Sequence, residues 1–454
     1  MFVKGDDDLL LEDKQTFTNV FKRAKLIFAV SVTCLVLLST LLNHASVSYG
    51  GAALSAEPLV IARPSRTTHA GIENCLPIYN LLQENIRRAV GRRSSSKSVL
   101  SLVAAYAYSN TSVVTMEADG WYGEEVYCRY FDKNRIEIEP PVKSVVYPEF
   151  VVYCCNNAHA SYMSITESVD EEVMQLVSTL NRTVNNPEYI LSLCLSPLYG
   201  TESKWLLLAE LIEHYKLQGV EHFYVYIKDI DAYSQKLIHD YVKSGDVETI
   251  YFSNKQHRMG KDWQLAGVKD CLHRSRHQSR YSLFADLDER IMTTSGNISL
   301  AEYISKTLTE RSNLALIFFK TRAVLRSHKP AGVYEGNETL REQLPTLAFY
   351  NASAISMIYT KCAVNPRRVL DMWVHRALAY FPGFGHSKAS ADEAILIHYR
   401  LASDEWQYDV PQRLLGYGKF ETWDYPRHLQ RRLYLHVKER LDRVYVSRKH
   451  KIST

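Results

Sequence analysis

Residues 281–291 read Tyr281-Ser282-Leu283-Phe284-Ala285-Asp286-Leu287-Asp288-Glu289-Arg290-Ile291. An apolar run of strand length stops at two acidic residues spaced by one, with a third acid directly after. Residues i and i+2 of an extended segment point to the same side. Asp286 and Asp288 therefore aim two carboxylates at one point beyond a buried strand. Mg2+ and Mn2+ take one or two such carboxylates together with phosphate oxygens. The stretch reads either as a metal–diphosphate site or as an ordinary acidic turn closing a strand, and its surroundings have to decide.

Upstream, strands alternate with helices. Tyr189–Leu195 reads as a short apolar strand ending at Pro197. Thr201–Leu217 reads as an amphipathic helix with Trp205, Leu208, Leu211, Ile212 and Tyr215 on one stripe and Gly219 past its end. His222–Ile227 and Val247–Phe252 read as strands on either side of the helix Tyr233–Val242. A helix over Asp262–Arg274 leads into strand 281–285, and beyond the acids come a helix over Ser299–Leu308 and a strand over Leu314–Phe319. This alternation predicts an α/β fold, a mostly parallel sheet with helices on both faces. In such sheets ligands collect beyond the carboxyl ends of strands, which favours the metal–diphosphate reading. A second pair, Asp229 and Asp231, also follows a strand, but a helix begins at once after it, where an acid serves as N-cap. Gly267, inside a helix, implies close packing or a bend.

The first part of the chain divides differently. Residues 26–42 carry no charge and follow Lys22, Arg23 and Lys25. As a helix they span about 25 Å, which predicts a signal-anchor with tail 1–25 cytosolic and the remainder lumenal. So short a span suits the thinner Golgi membrane, with a cleaved signal peptide as the competing reading. Residues 43–97 read as a stem, Cys75–Val90 being a local helix within it. Residues 98–185 read as a small antiparallel β-rich module, with strands at Val99–Tyr108, Ser112–Met116, Glu125–Tyr130, Arg135–Ile138 and Phe150–Tyr153, then a linking helix over Ser164–Leu180. The α/β region follows over 186–430, and 431–454 reads as a basic tail.

Five Asn-x-Ser/Thr acceptors, at Asn110, Asn181, Asn297, Asn337 and Asn351, and seven of the eight cysteines lie beyond the anchor, in keeping with an oxidising lumen. Seven is odd, so at least one thiol is free or joins a homodimer through a disulfide. A net charge of +4 on 454 residues gives no support for a nucleic-acid partner. There is no Gly-x-x-x-x-Gly-Lys-Ser/Thr loop for a nucleotide and no paired Cys-x-x-Cys for structural zinc.

Five blocks in order complete the reading: Glu202–His214 with Gly219–Tyr224, Gln264–Cys271, Phe284–Glu289, Lys361–His375 and Ala394–Arg400. With them, residues from about 187 to 430 resemble glycosyltransferase family 92. The resemblance implies a GT-A (Rossmann-like) fold and a metal-dependent, inverting transfer of a hexose, most directly galactose from UDP-galactose, to a glycan acceptor. Asp286 and Asp288 fall on the family's Asp-x-Asp and would bind Mn2+ (or Mg2+) and the diphosphate of the UDP-sugar. His398 would be a further metal ligand or a packed histidine, and Arg400 a phosphate contact or a partner of a structural carboxylate. Asp392 and Glu393 are the candidates for the catalytic base, or else surface acids. Gln264 and Asp270 would touch the nucleotide or serve packing, and His375 and His386 would touch the acceptor or be structural. Glu289 matches the acid that commonly follows that Asp-x-Asp motif or is structural, and Arg290 either assists the phosphate or faces solvent. The alternative function is a lectin-like or scaffold protein that has kept the fold without turnover.

Overall fold

The structure is a computed structural model and describes residues 71–88, 97–253, 260–294, 296–402 and 416–446. The tail 1–25 and the apolar stretch 26–42 lie outside these residues. Among the described residues no helix is long and apolar enough to cross a membrane.

Part of the expected stem is folded. Helix α1 (Tyr79–Arg88) and the turn before it bury Ile72, Leu76 and Leu82 against Tyr106, Val113 and Tyr153, and a disulfide ties Cys75 to Cys155. The module has seven strands: β1 (Leu102–Ala107), β2 (Ser112–Met116), β3 (Glu125–Phe131), β4 (Val142–Val145), β5 (Val151–Cys154), β6 (Tyr162–Thr166) and β7 (Val177–Asn181). Their spatial order is β4-β3-β6-β7-β1-β2-β5. The pair β1·β7 is parallel, so the sheet is mixed rather than antiparallel. No helix forms over 164–180. Met163 and Ile165 face the core two residues apart, the period of a strand, and β-branched Ile165, Thr166, Val177 and Thr179 favour strands over helix. Around 135–138 only Glu137 bridges to Phe131, because its carboxylate turns inward to Arg129 at 2.8 Å.

From β8 (Tyr189–Leu198) the chain runs through α2 (Trp205–Leu217), β9 (His222–Ile227), α3 (Ala232–Lys243), β10 (Val247–Tyr251), α4 (Gly260–Ser275) and β11 (Ser279–Ala285). The order β10-β9-β8-β11 is parallel throughout. The chain moves outward from β8 to β10, and α4 returns it to the other side of β8. The strand order therefore reverses between β8 and β11, the crevice where open α/β sheets hold ligands.

Beyond β11 come β12 (Glu289–Thr293), α5 (Leu300–Glu310), β13 (Leu314–Arg326), α6 (Asn337–Gln343), α7 (Pro345–Ala348), β14 (Asn351–Ala352), β15 (Ser356–Val364), β16 (Val369–Met372), β17 (Ala377–Tyr380), β18 (Gly385–Lys388), β19 (Ala394–Leu401), β20 (Glu421–Thr422) and α8 (Arg427–Leu441). Strand β15 lies antiparallel between β11 and β13, and β12 pairs antiparallel with β19. The sheet is thus parallel over four strands and mixed beyond them, where a mostly parallel sheet was predicted. Here α6 and α7 are only 7 and 4 residues long, and antiparallel pairs sit beside the parallel pairs β13·β18 and β13·β19.

Helix α4 is clamped between the two sheets, Trp263, Leu265, Ala266, Val268 and Leu272 sharing one core with β1, β2 and β3. A disulfide fixes it to β8 through Cys194 and Cys271. Gly267 is a point of close approach: a Cβ there would lie 2.6 Å from Pro197 Cγ. On the other face, α2 is not amphipathic but buried from Trp205 to Tyr215, because α8 packs over it. The expected basic tail therefore begins as a helix whose Leu429, Leu433, Val437 and Leu441 recur every fourth residue and are buried. Cys128 and Cys154 form the third disulfide, and Cys362 is free but buried. That thiol cannot reach another chain, so among the described residues the cysteine route to a homodimer is closed.

Candidate active site

Strand β11 delivers Asp286 to its carboxyl end, and the chain turns at once into β12. The turn is closed by the Glu289 N–H donating to the Asp286 carbonyl at 3.1 Å and by the Asp286 N–H donating to Glu289 Oε2 at 2.7 Å. Arg290 secures it from beneath. Its Nη1 donates to the carbonyls of Leu287 and Glu289, both at 2.9 Å. Its Nη2 meets Glu210 Oε2 on α2 at 2.8 Å, both side chains being fully buried. Neither expectation for Arg290 holds, because a guanidinium with a buried carboxylate partner neither meets solvent nor reaches a phosphate.

Three cations and several hydrogen-bond donors act on the acids. Lys361, buried in β15, lies 2.8 Å from Asp286 Oδ2 and 3.5 Å from Glu289 Oε2. The other oxygen of Asp286 accepts from Ser196 Oγ at the end of β8 and from Gln264 Nε2 at 2.7 Å. Burial pushes the Asp286 carboxyl up, but the Lys361 ammonium and these donors outweigh it and hold it below the usual range. For Asp288 burial is likewise outweighed, here by the His398 imidazole at 3.3 Å and by the charge of Arg326. Burial lowers His398, and the Asp288 carboxylate more than restores it, leaving it raised. Glu289 goes the other way: burial and neighbouring Asp286 push it up to about 7 against the pull of Lys361 and His398. It is the member of the trio that closes the turn, and its side chain is fully buried.

The acids open on a cavity of about 390 Å3 at the crevice between β8 and β11. Ser196, Gln264, Asp286, Asp288, Arg326, His375, His398 and Arg400 are among the residues that line it. Asp286, Asp288, Gln264, His398 and Arg400, picked from the sequence, thus come together. Asp270 does not join them. It is fully buried on α4, accepting from Tyr106 and Tyr226 hydroxyls at 2.6 Å and from Arg274 Nε at 3.0 Å, so it is a polar joint between the module and the α/β sheet. Asp392 and Glu393 are exposed, and Glu393 accepts from Tyr303 at 3.0 Å. They precede β19 while His398 sits inside it, and the four strand steps from Ala394 to His398 alone span about 13 Å. The expectation that they supply the base is corrected accordingly. His386 lies outside this cavity, and Asp231 caps α3 by accepting from the Ser234 N–H at 2.9 Å.

Lys361, Ser196 and Arg326 were not picked from the sequence as site residues. Lys361 carried a readable signal: a lysine in an apolar strand needs a buried acid as partner. Ser196 and Arg326 become visible only once β8 and β13 are placed.

The donor set suits a hard cation in part. Two carboxylates and an imidazole match Mn2+ or Mg2+, yet among the described residues no group of three such side chains closes around a common point. Asp286 has both oxygens engaged within the protein, which leaves Asp288 and His398 as the residues able to contribute ligands. Such a half-shell fits a cation whose remaining ligands are phosphate oxygens and water.

An α/β sheet with paired carboxylates at its switch point can hold a divalent cation together with the phosphate oxygens of a ligand. The chain belongs to glycosyltransferase family 92, whose profile matches residues 189–433. A beta-1,4-galactosyltransferase of Caenorhabditis elegans, galt-1, is 25% identical over 197 residues, 42% of this chain and 44% of the relative. A glycosyltransferase family 92 protein of the same nematode is 24% identical over 284 residues, 55% of this chain and 50% of the relative. The chain spans about half the length of the curated relatives it matches. Among solved structures, glucosyl-3-phosphoglycerate synthase from Mycobacterium tuberculosis with Mn2+ and UDP is 9% identical, covering 52% of this chain and 88% of that one at a TM-score of 0.26.

Proposed function

We propose that this chain is a GT-A-type transferase that moves a hexose from a UDP-sugar to a glycan acceptor with inversion, galactose being the first donor to test given the named relative. The observation that carries the reading is the convergence of Asp286, Asp288, His398, Arg326 and Arg400 on one cavity at the switch point. Asp288 and His398 would face Mn2+ or Mg2+, and the guanidiniums lining the same cavity would meet diphosphate oxygens. When bound, the cation neutralises the leaving diphosphate. Asp288 and His398 would hold it, while Lys361, Ser196 and Gln264 fix Asp286 in place.

The proton acceptor in this reading is His375. Its Nδ1 donates to the Thr360 carbonyl at 3.0 Å, which puts the lone pair on Nε2. The acceptor hydroxyl would give its proton to Nε2 as its oxygen bonds to the anomeric carbon. The bond from that carbon to the diphosphate breaks, and its electron pair leaves with UDP. A lumenal setting and a single N-terminal membrane helix belong to the same proposal. It is supported by three disulfides and by the exposure of all five acceptor asparagines.

The test is release of UDP from a panel of UDP-sugars by the purified full-length chain, with Mn2+ and then with EDTA. Slow, EDTA-sensitive release from one donor supports transfer and names the sugar. No release, with no donor-induced rise in melting temperature, moves the reading to a lectin-like or scaffold protein.

A further inference from the structure

His375 borders two cavities. Beyond the one that holds the acids lies a second, of about 710 Å3, over β13 and the segment from β15 to β18. Its floor is aromatic and braced. His386 stacks on Tyr380 with centroids 6.1 Å apart and planes at 26°, meets Phe318 edge-on at 5.2 Å, and is hydrogen-bonded to the Tyr380 hydroxyl at 3.2 Å. Trp373 adds a ring that is 38% exposed.

The charges here differ from those of the first cavity. Lys361 is spent on Asp286, Lys204 on the carbonyls of Gly200 and Glu202, and Arg326 donates to the Tyr399 carbonyl at 2.8 Å. In the second cavity Arg376 and Lys388 are exposed. Neither side chain has an ion-pair partner among the described residues. Among the described residues no carboxylate lines this cavity.

We infer that this second cavity is the acceptor groove and that it selects a saccharide carrying an acidic substituent. The inference rests on the transferase reading, since it assumes that the hydroxyl to be glycosylated meets His375 at the shared border. An aromatic floor stacks on the apolar face of a pyranose. Two cations with no compensating acid favour an anionic ring substituent and disfavour nothing in a neutral one. Carboxylate, sulfate and phosphate share this chemistry, so the experiment separates them.

Binding of four saccharides to the full-length chain is measured by calorimetry at low salt: lactose, a glucuronic-acid-terminated disaccharide, a galactose-6-sulfate-terminated disaccharide and a mannose-6-phosphate-terminated disaccharide. At least one acidic probe should bind tenfold or more tighter than lactose. Arg376→Gln and Lys388→Gln should each erode that preference severalfold while affinity for lactose stays constant, and Arg376→Lys should keep most of it. Equal binding of acidic and neutral probes, or a preference that survives the double glutamine variant, overturns the inference. Both residues are exposed, and a melting curve on each variant confirms folding. Mn2+-dependent UDP binding is read separately on the unaltered chain. Its absence would overturn the donor reading, whereas its presence without an acid preference would overturn only the groove.

Discussion

Replacing Arg290 by methionine tests whether the buried pair beneath the Asp286–Asp288 turn is structural. The substitution leaves the Glu210 carboxylate fully buried. Its remaining donors are neutral, the Thr346 N–H at 2.8 Å and the Thr346 hydroxyl at 2.7 Å. Breaking such a pair by removing one partner costs about 3–5 kcal/mol, most of it from the uncompensated charge. In the double variant Glu210→Leu/Arg290→Met no charge is stranded. What is left is an orphaned Thr346 amide and hydroxyl, neutral groups worth about 1–3 kcal/mol each, in place of a stranded charge. The double variant should therefore be more stable than Arg290→Met alone. Urea unfolding followed by tryptophan fluorescence measures this as a shift in midpoint at constant slope. Turnover of the donor should fall in both variants, because the Leu287 and Glu289 carbonyls lose the guanidinium that holds the turn. If the double variant lost the sum of the two single losses, the pair would not be coupled and the argument from buried charge would be wrong.

Asp392→Asn and Glu393→Gln should leave donor hydrolysis within about twofold of the unaltered chain, since both side chains are exposed at the far end of β19; a hundredfold loss in a steady-state assay, the scale of general-base removal, would restore them as the base. His375→Gln should lower transfer by about a hundredfold or more with little change in UDP affinity, and an unchanged kcat would remove it from the reaction. Acid should expose His214, whose ring is pushed down to about 3 by burial and by the charge of Arg290. The folded ring stays neutral while the unfolded one protonates near its ordinary 6.5. Its contribution to stability is thus full above that value and lost as the pH falls toward 3, by about 2 kcal/mol between pH 6.5 and 5. Glu289, raised to about 7, runs in the opposite direction, so the quantity to measure is the difference in unfolding free energy between the unaltered chain and His214→Gln. A difference that did not shrink on acidification would contradict the assignment.

The parts of the fold legible in the sequence were those with a single repeating period. Strands β9, β10 and β11 and helices α3 and α5 sit within a few residues of where periodicity put them, and Asp231 is the cap its position implied. The errors came where tertiary context overrode local pattern. Helix α2 looked one-sided until α8 supplied its other side. The stretch 164–180 looked helical because its acids sit together, although its β-branched residues belonged to two strands. Asp286 and Asp288 were readable because strand ends repeat a known geometry. Asp270 and Asp392 were misread because closeness in sequence to a motif is not closeness in space: one faces the module, the other the opposite end of a strand.

Calorimetric titration of UDP into the full-length chain, with Mn2+ and with EDTA, and again in Asp288→Asn, decides whether Asp288 and His398 form a metal-dependent donor site. Binding should require Mn2+ and weaken by at least tenfold in the variant while its melting temperature stays close to that of the unaltered chain. Binding of equal strength in EDTA, or undiminished in Asp288→Asn, would rule out such a site.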